Sequence, residues 1–316
     1  MGPGFTGYLV RRILWAIPVL FIISFTVFSV VRFAPGDPVD TILGQRYDED
    51  VARRLRDKYG YDDPLLVQYF RYLSNLAHMD LGVSTQYTNF TASEVILPKL
   101  WVSTRLSAIA LVIVFGLGIP AGIYAAVARG TFLDPLTISF WLAIDAVPPF
   151  ISIPILQWIF ALQLGWVDVG YRGLASPNII LPILVMSLPG VAGVARLMRA
   201  SVISVMAEDY VRTARAKGLK ERTVVLRHIT RNAMIPMITV IGLSLPGLAA
   251  GSLFVEQMFG IPGIARAGLQ AVTGPDYDVL LALVLLGSTL FVLANIFIDI
   301  AYAFVDPRIK VGGARG

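Results

Sequence analysis

The chain has 316 residues, of which 56% are hydrophobic and only 15% charged; soluble globular domains carry about 25% charged residues. That balance excludes intrinsic disorder and argues against a soluble multidomain enzyme. The chain has no cysteine and two histidines, His78 and His228, so disulfide scaffolds, thiolate or multi-histidine metal sites and cysteine nucleophiles are excluded as well.

The charge-free runs predict the architecture. Residues 13–31 hold no charge over 19 positions, behind Arg11 and Arg12. This run exceeds the about 7–15 residues of a signal-peptide core and lacks an A-x-A-like cleavage site, so it predicts a retained helix over about 9–31. An exit turn, Ala34-Pro35-Gly36-Asp37-Pro38, follows. Residues 33–100 then form the one sizeable polar segment. A helix is expected over 48–58 with Val51 and Leu55 on one side, and Gly60 as its stop. Pro64 opens a second helix carrying Leu66, Tyr69, Phe70 and Leu73 on one face.

Further apolar runs predict spans at about 104–128, 136–163, 177–198, 233–255 and 279–302, each close to the about 20 residues a membrane helix needs. The fold class expected is an all-α integral membrane protein of six helices. Prolines interrupt five of these spans, among them Pro148 and Pro149, and each tends to kink its helix. Gly116, Gly118 and Gly122 in the second span, and Gly190 and Gly193 in the fourth, would admit close helix contact. Asp145 falls about 15 Å into the third span by helical rise. An ionisable group there faces the bundle interior or water. Its two readings are a lining group of a substrate path and a hydrogen-bonding partner of a neighbouring helix.

Lysine and arginine set the orientation. With both termini on one side, the short loops of that side hold 15 of them against 2 on the other, so both termini are expected in the cytoplasm and 33–100 outside. The net charge of +5 thus reads as topology beside anionic lipid rather than as a nucleic-acid surface. Nine of the basic residues lie in 196–231, a stretch that overlaps the cytoplasmic loop expected over 199–232. A short amphipathic helix is expected from Glu208 to Lys217, with Glu208 and Asp209 at its start and Arg215 and Lys217 near its end, as the helix dipole favours. Gly218 breaks it, and a second helix runs to about Asn232.

EDYVRTARAKGL at 208–219, followed by LRHITRNAMIP ending at Pro236, resembles the cytoplasmic "EAA" loop of ABC importer permeases. It is most similar to the dipeptide/oligopeptide/nickel subfamily. LVRRILWAIPVL at 9–20, RFAPGDPVD at 32–40, YGYDDPLLVQYFRYL at 59–73, LGVSTQ at 81–86, VEQMFGIPGIARAGLQAV at 255–272 and DPRIK at 306–310 resemble the first of that subfamily's two permease subunits. Arg212-Thr213-Ala214 replaces the Glu-Ala-Ala of the general pattern, as in the peptide subfamily. Asp145 stands before Ala146-Val147-Pro148, where the family usually has an apolar or small residue.

The resemblance implies a type I ABC importer permease in a bacterial or archaeal plasma membrane, carrying dipeptides or oligopeptides, with nickel chelates or another small solute as the alternative cargo. It implies a second homologous permease, two ATPase subunits or domains, and an extracytoplasmic substrate-binding protein as partners. It also assigns Glu208, Asp209, Arg212, Thr213, Ala214, Lys217 and Gly218 to ATPase coupling; Asp145, Pro148 and Pro149 are the candidates for the path. The chain has no G-x-x-x-x-G-K-[ST] phosphate loop, so no cofactor is expected on it and ATP and magnesium would reside on the ATPases. A self-sufficient secondary transporter is the rival from another class, with Asp145 as its one clear coupling charge. A membrane hydrolase would need a Gly-x-Ser-x-Gly elbow or a His-Glu-x-x-His pair, and the sequence has neither.

Overall fold

A computed structural model describes residues 3–33, 39, 43, 48–87 and 89–305. The expected exit turn at 34–38 and the DPRIK stretch at 306–310 lie outside them. The described residues are helical apart from turns and one isolated bridge between Val83 and Thr91. Four helices are long and apolar enough to cross a membrane: Val10–Phe33, Ala92–Val127, Pro177–Met206 and Tyr277–Ile298. Two bent pairs, Leu133–Asp145 with Pro149–Gln163 and Glu221–Ala233 with Ile235–Ala249, bring the total to six if each pair is one span.

The chain divides into two compact units. The first holds residues 1–103 and 262–316. Here α1 (Pro3–Phe33) packs along α14 (Tyr277–Val305), and α13 (Ile264–Thr273) lies against α14. The polar segment supplies α2 (Glu49–Tyr59) and α3 (Leu65–Ala77). Asp48 caps α2, its side chain accepting from the N–H groups of Asp50 and Val51, and Gly60 ends it at φ +64.

Tyr69 anchors α3. Its ring meets Phe21, Phe25 and Phe28 of α1 at 5.0–5.5 Å. Its hydroxyl shares a 2.6 Å hydrogen bond with Ser24 and donates to the Phe21 carbonyl. This polar tie selects the buried face. The face turned inward is Leu65, Tyr69, Tyr72 and Leu73, whereas Leu66 and Phe70 stay 57% and 60% exposed. The expected stripe of Leu66, Tyr69, Phe70 and Leu73 is therefore corrected by one position. On α2 the fully buried residue is Ala52, and Val51 is exposed.

LGVSTQ at 81–86 is pinned to the turn before α14. Buried Asp276 accepts from the Ser84 hydroxyl at 2.5 Å and from the N–H groups of Thr85 and Gln86. Asp278 accepts from the Val83 N–H at 3.2 Å. Gly82 has φ +86, and a Cβ there would strike the Asp278 carboxylate.

The second unit spans 104–261. It holds the latter part of α4 (Ala92–Val127), α5 (Leu133–Asp145), α6 (Pro149–Leu156) with a π-helical continuation over Gln157–Gln163, and α7 (Ile180–Met206). Helices α4 and α7 approach through glycine. A Cβ on Gly118 would lie 2.7 Å from Val194, and one on Gly122 would lie 2.5 Å from the Ala195 carbonyl and 2.7 Å from the Met198 Cβ. Gly190 faces Val114 more loosely at 3.1 Å. Gly116 and Gly193 have open space around them, so of the five expected contact glycines these two serve no helix contact within the unit. Asp134 in the first turn of α5 is tied to Arg199 of α7 by two hydrogen bonds of 2.6 Å.

Candidate functional site

Past α7 the chain turns at Ala207 and enters α8 (Asp209–Ala216). Glu208 has the extended backbone of an N-cap residue, and Asp209 occupies the first turn. Two residues seat the helix: Val211 and Ala214 are buried in a cluster with Val202, Val224, Val225, Ile229 and Ala233. At the other end the Gly218 N–H bonds the Arg215 carbonyl at 2.9 Å and the Leu219 N–H bonds that of Ala214 at 3.4 Å. Gly218 has φ +74. This is a Schellman stop, and it needs a residue that tolerates the left-handed region.

A second helical stretch returns over α9 (Glu221–Thr223), a π-helical turn over Val224–Ile229, and α10 (Thr230–Ala233). The π turn brings Val224, Val225 and Ile229 inward together. Two side-chain ties join the two arms. Arg215 grips Glu221 with hydrogen bonds of 2.7 and 3.2 Å, and Asn232 donates to the Tyr210 hydroxyl at 2.8 Å. The Arg215 guanidinium holds the Glu221 carboxyl below the usual carboxylate range, chiefly through that hydrogen bond. Ser201 of α7 donates to the Ala233 carbonyl at 2.9 Å, tying the returning arm to the bundle helix.

The face of α8 opposite Val211 is bare. Asp209 and Arg212 leave 96% and 73% of their side chains exposed, joined only by a 3.5 Å contact. Thr213, Lys217 and Gly218 are exposed beside them. Of the seven residues the sequence assigns to this loop, Ala214 alone is turned inward, because its methyl group and Val211 form the stripe that seats the helix. The Arg215–Glu221 grip and the Tyr210–Asn232 bond are absent from the sequence reading. The opposite charges of Arg215 and Glu221 beside a glycine turn were the available signal.

Asp145, Pro148 and Pro149 lie at a break. Asp145 is the last residue of α5, and α6 leaves at 89° to it. Pro149 occupies the first turn of α6, where its missing N–H costs nothing, and it pushes Pro148 to an extended ψ of 146°. The third expected span is therefore two half-helices, and Asp145 ends the first of them rather than lying within a continuous helix. Its side chain is exposed, and it makes no hydrogen bond or ion pair with the described residues. At the start of the fifth expected span, the returning arm over Glu221–Ala233 meets Ile235–Ala249 at 50° around Met234, just before Pro236.

Residues 118–311 match the family described as the binding-protein-dependent transport system inner membrane component, and residues 5–96 match its N-terminal membrane component. The oligopeptide transport system permease protein OppB of Haemophilus influenzae is 36% identical over 96% of this chain and 99% of its own length. The glutathione transport system permease protein GsiC of Escherichia coli O6:H1 is 38% identical over the same shares. A chain of the MetNI methionine ABC transporter, solved in an inward-facing form, superposes with a TM-score of 0.55 at 16% identity, over 67% of this chain and 96% of that one. The MetNI likeness establishes a type I importer permease fold. With both halves matched and relatives alike almost end to end, the chain belongs to the inner membrane components of binding-protein-dependent transport systems, as a multi-pass plasma-membrane permease subunit of an ABC importer.

Proposed function

We propose that the chain forms half of the translocation pathway of an ATP-driven importer of dipeptides or oligopeptides, and that it performs no chemistry itself. The other half is a second homologous permease. Two ATPase subunits or domains carry ATP and magnesium, and an extracytoplasmic binding protein delivers the peptide. Both termini face the cytoplasm, and the segment 33–100 lies outside. The relatives of oligopeptide and glutathione systems support the cargo class.

The observation that carries the coupling reading is the two-faced helix α8. Val211 and Ala214 fix it to the core of its unit, while Asp209, Arg212, Thr213 and Lys217 are left bare. A helix held rigidly on one side and charged on the other is suited to transmit a push from a docked partner. The closure of two ATPases would move α8, and α8 would carry α7 and the returning arm with it. Asp145, unpartnered at the 89° break, is the proposed polar group on the path. The bend leaves backbone groups of two half-helices unpaired within their own segments, an arrangement tolerated where it lines a cavity.

Reconstitution tests this. The chain, its partner permease and the ATPases in proteoliposomes should take up labelled di- and tripeptides only with ATP and the binding protein. Uptake by this chain alone, driven by an ion gradient, would establish the secondary-transporter reading instead. Uptake of nickel chelates with peptides excluded would move the cargo within the family.

A further inference from the structure

Asp145 is the one charged residue in the apolar runs of the second unit: 106–128, 136–163, 177–195 and 232–255 hold no lysine, arginine, glutamate or further aspartate. Its side chain is exposed at the 89° break and has no hydrogen bond or ion pair among the described residues. A carboxylate within a span is unfavourable against acyl chains, so its open side meets water or a cation. No span of this unit supplies that cation. Whatever pairs with Asp145 comes from outside the unit.

The backbone at the same point makes the same demand. The Ala146 N–H donates to the Leu142 carbonyl at 2.9 Å and the Val147 N–H to that of Ile144 at 3.3 Å. There the supply of donors stops, because Pro148 and Pro149 have no N–H. Pro149 stands four positions after Asp145, so the Asp145 carbonyl has no intrahelical donor. The 13 residues of α5 also direct the negative end of their dipole to this terminus. Carboxylate, open carbonyl and dipole all accept, and none donates. C-terminal ends of broken membrane helices hold cations in this way. A primary ammonium, with three donors and no acceptor, matches such a site. A hard divalent cation needs about six oxygen ligands, and the described residues hold no group of three or more His, Cys, Asp or Glu able to bind a metal ion. Past the break the exposed rings of Phe150 and Phe254, 6.0 Å apart, form an apolar wall.

The geometry points to Asp145 as the group that holds the free α-ammonium of the passing peptide, so that the path itself selects an unblocked N-terminus. The inference rests on the reading of the chain as half of a peptide path, and it names the end of the peptide that the path reads.

Equilibrium binding of labelled trialanine to the assembled importer in nanodiscs, without ATP and without binding protein, tests it. Trialanine should bind saturably. N-acetyltrialanine should bind at least about tenfold more weakly, and trialaninamide, which keeps the ammonium, within about threefold of trialanine. Asp145→Asn should weaken trialanine binding by about tenfold and leave that of N-acetyltrialanine unchanged. Asp145→Glu keeps the carboxylate and should keep the preference for the free ammonium. Both variants should copurify with every subunit at the parent's melting temperature. No saturable binding of trialanine would overturn the proposal. So would an Asp145→Asn complex that binds trialanine like the parent, or one that loses both peptides equally. Loss of the second permease from the Asp145→Asn complex would mark an ion pair between the permeases, and overturn it as well. Uptake with ATP and binding protein separates this site from the wider reading. A parent that takes up trialanine but binds the acetylated form equally well keeps the peptide path and loses this site; a parent that takes up nickel chelates and no peptide loses both.

Discussion

Gly122 has no room for a methyl group: its Cβ would lie 2.5 Å from the Ala195 carbonyl, and backbone cannot swing aside as a side chain can. Gly122→Ala should destabilise the subunit by about 1–3 kcal/mol, the usual range for overpacking, lowering its melting temperature in detergent. Gly116→Ala, with open space around it, should leave the melting temperature unchanged. The sequence presents both as small residues on one helix, and only the crossing of α4 and α7 tells them apart. Asp145 contrasts with them. It has no partner among the described residues, so Asp145→Asn should change stability by no more than about 0.5 kcal/mol. A role on the path requires that this same change alter peptide uptake by the assembled importer; unchanged uptake would remove Asp145 from the path.

At the scale of elements, the apolar runs carried most of the information. A run free of charge over about 20 residues marks a candidate membrane span from its own composition. Breaks were partly legible, because proline acts locally: Pro149 and Pro236 stand at or beside the two bends. Pairings between distant residues were not. Ser84 and Asp276 are 192 positions apart, and no local pattern foretells their bond. The face of α3 was misread for the same reason, since Leu65 and Leu66 are equally apolar and the Tyr69 hydroxyl decides between them.

The loop element carries its own prediction. The Arg215–Glu221 pair is substantially exposed, so Arg215→Ala should cost under about 1 kcal/mol of overall stability. It should nonetheless loosen the two arms, read as faster hydrogen exchange over 208–222. The folded carboxyl pKa of Glu221 is lowered, so the grip contributes fully above the ordinary carboxylate range. That contribution is lost as pH falls through the lowered folded value. The exchange difference between Arg215→Ala and the parent should therefore persist at neutral pH and fade in acid.

For the whole molecule, topology comes first. The native chain has no cysteine, and Asp57 and Arg222 are exposed on segments expected on opposite sides. Asp57→Cys should react with an impermeant maleimide on intact cells, and Arg222→Cys only after lysis; the reverse pattern would invert the orientation drawn from the lysine and arginine count.

The central claim is that this permease couples to separate ATPases through the bare face of α8 and its glycine turn. Gly218 has open space around it, so a side chain there meets nothing in this chain. It has φ +74, and a non-glycine residue in that conformation costs about 1–2 kcal/mol. Gly218→Leu therefore distorts the turn and enlarges the surface a partner meets, while Arg212→Glu reverses charge on the bare face. The decisive measurement is ATPase copurification together with substrate-stimulated hydrolysis in the reconstituted complex. Both variants should insert in the membrane normally, yet either lose the ATPases or hydrolyse ATP without taking up peptide. If both assemble, hydrolyse and transport like the parent, the loop is not the coupling element.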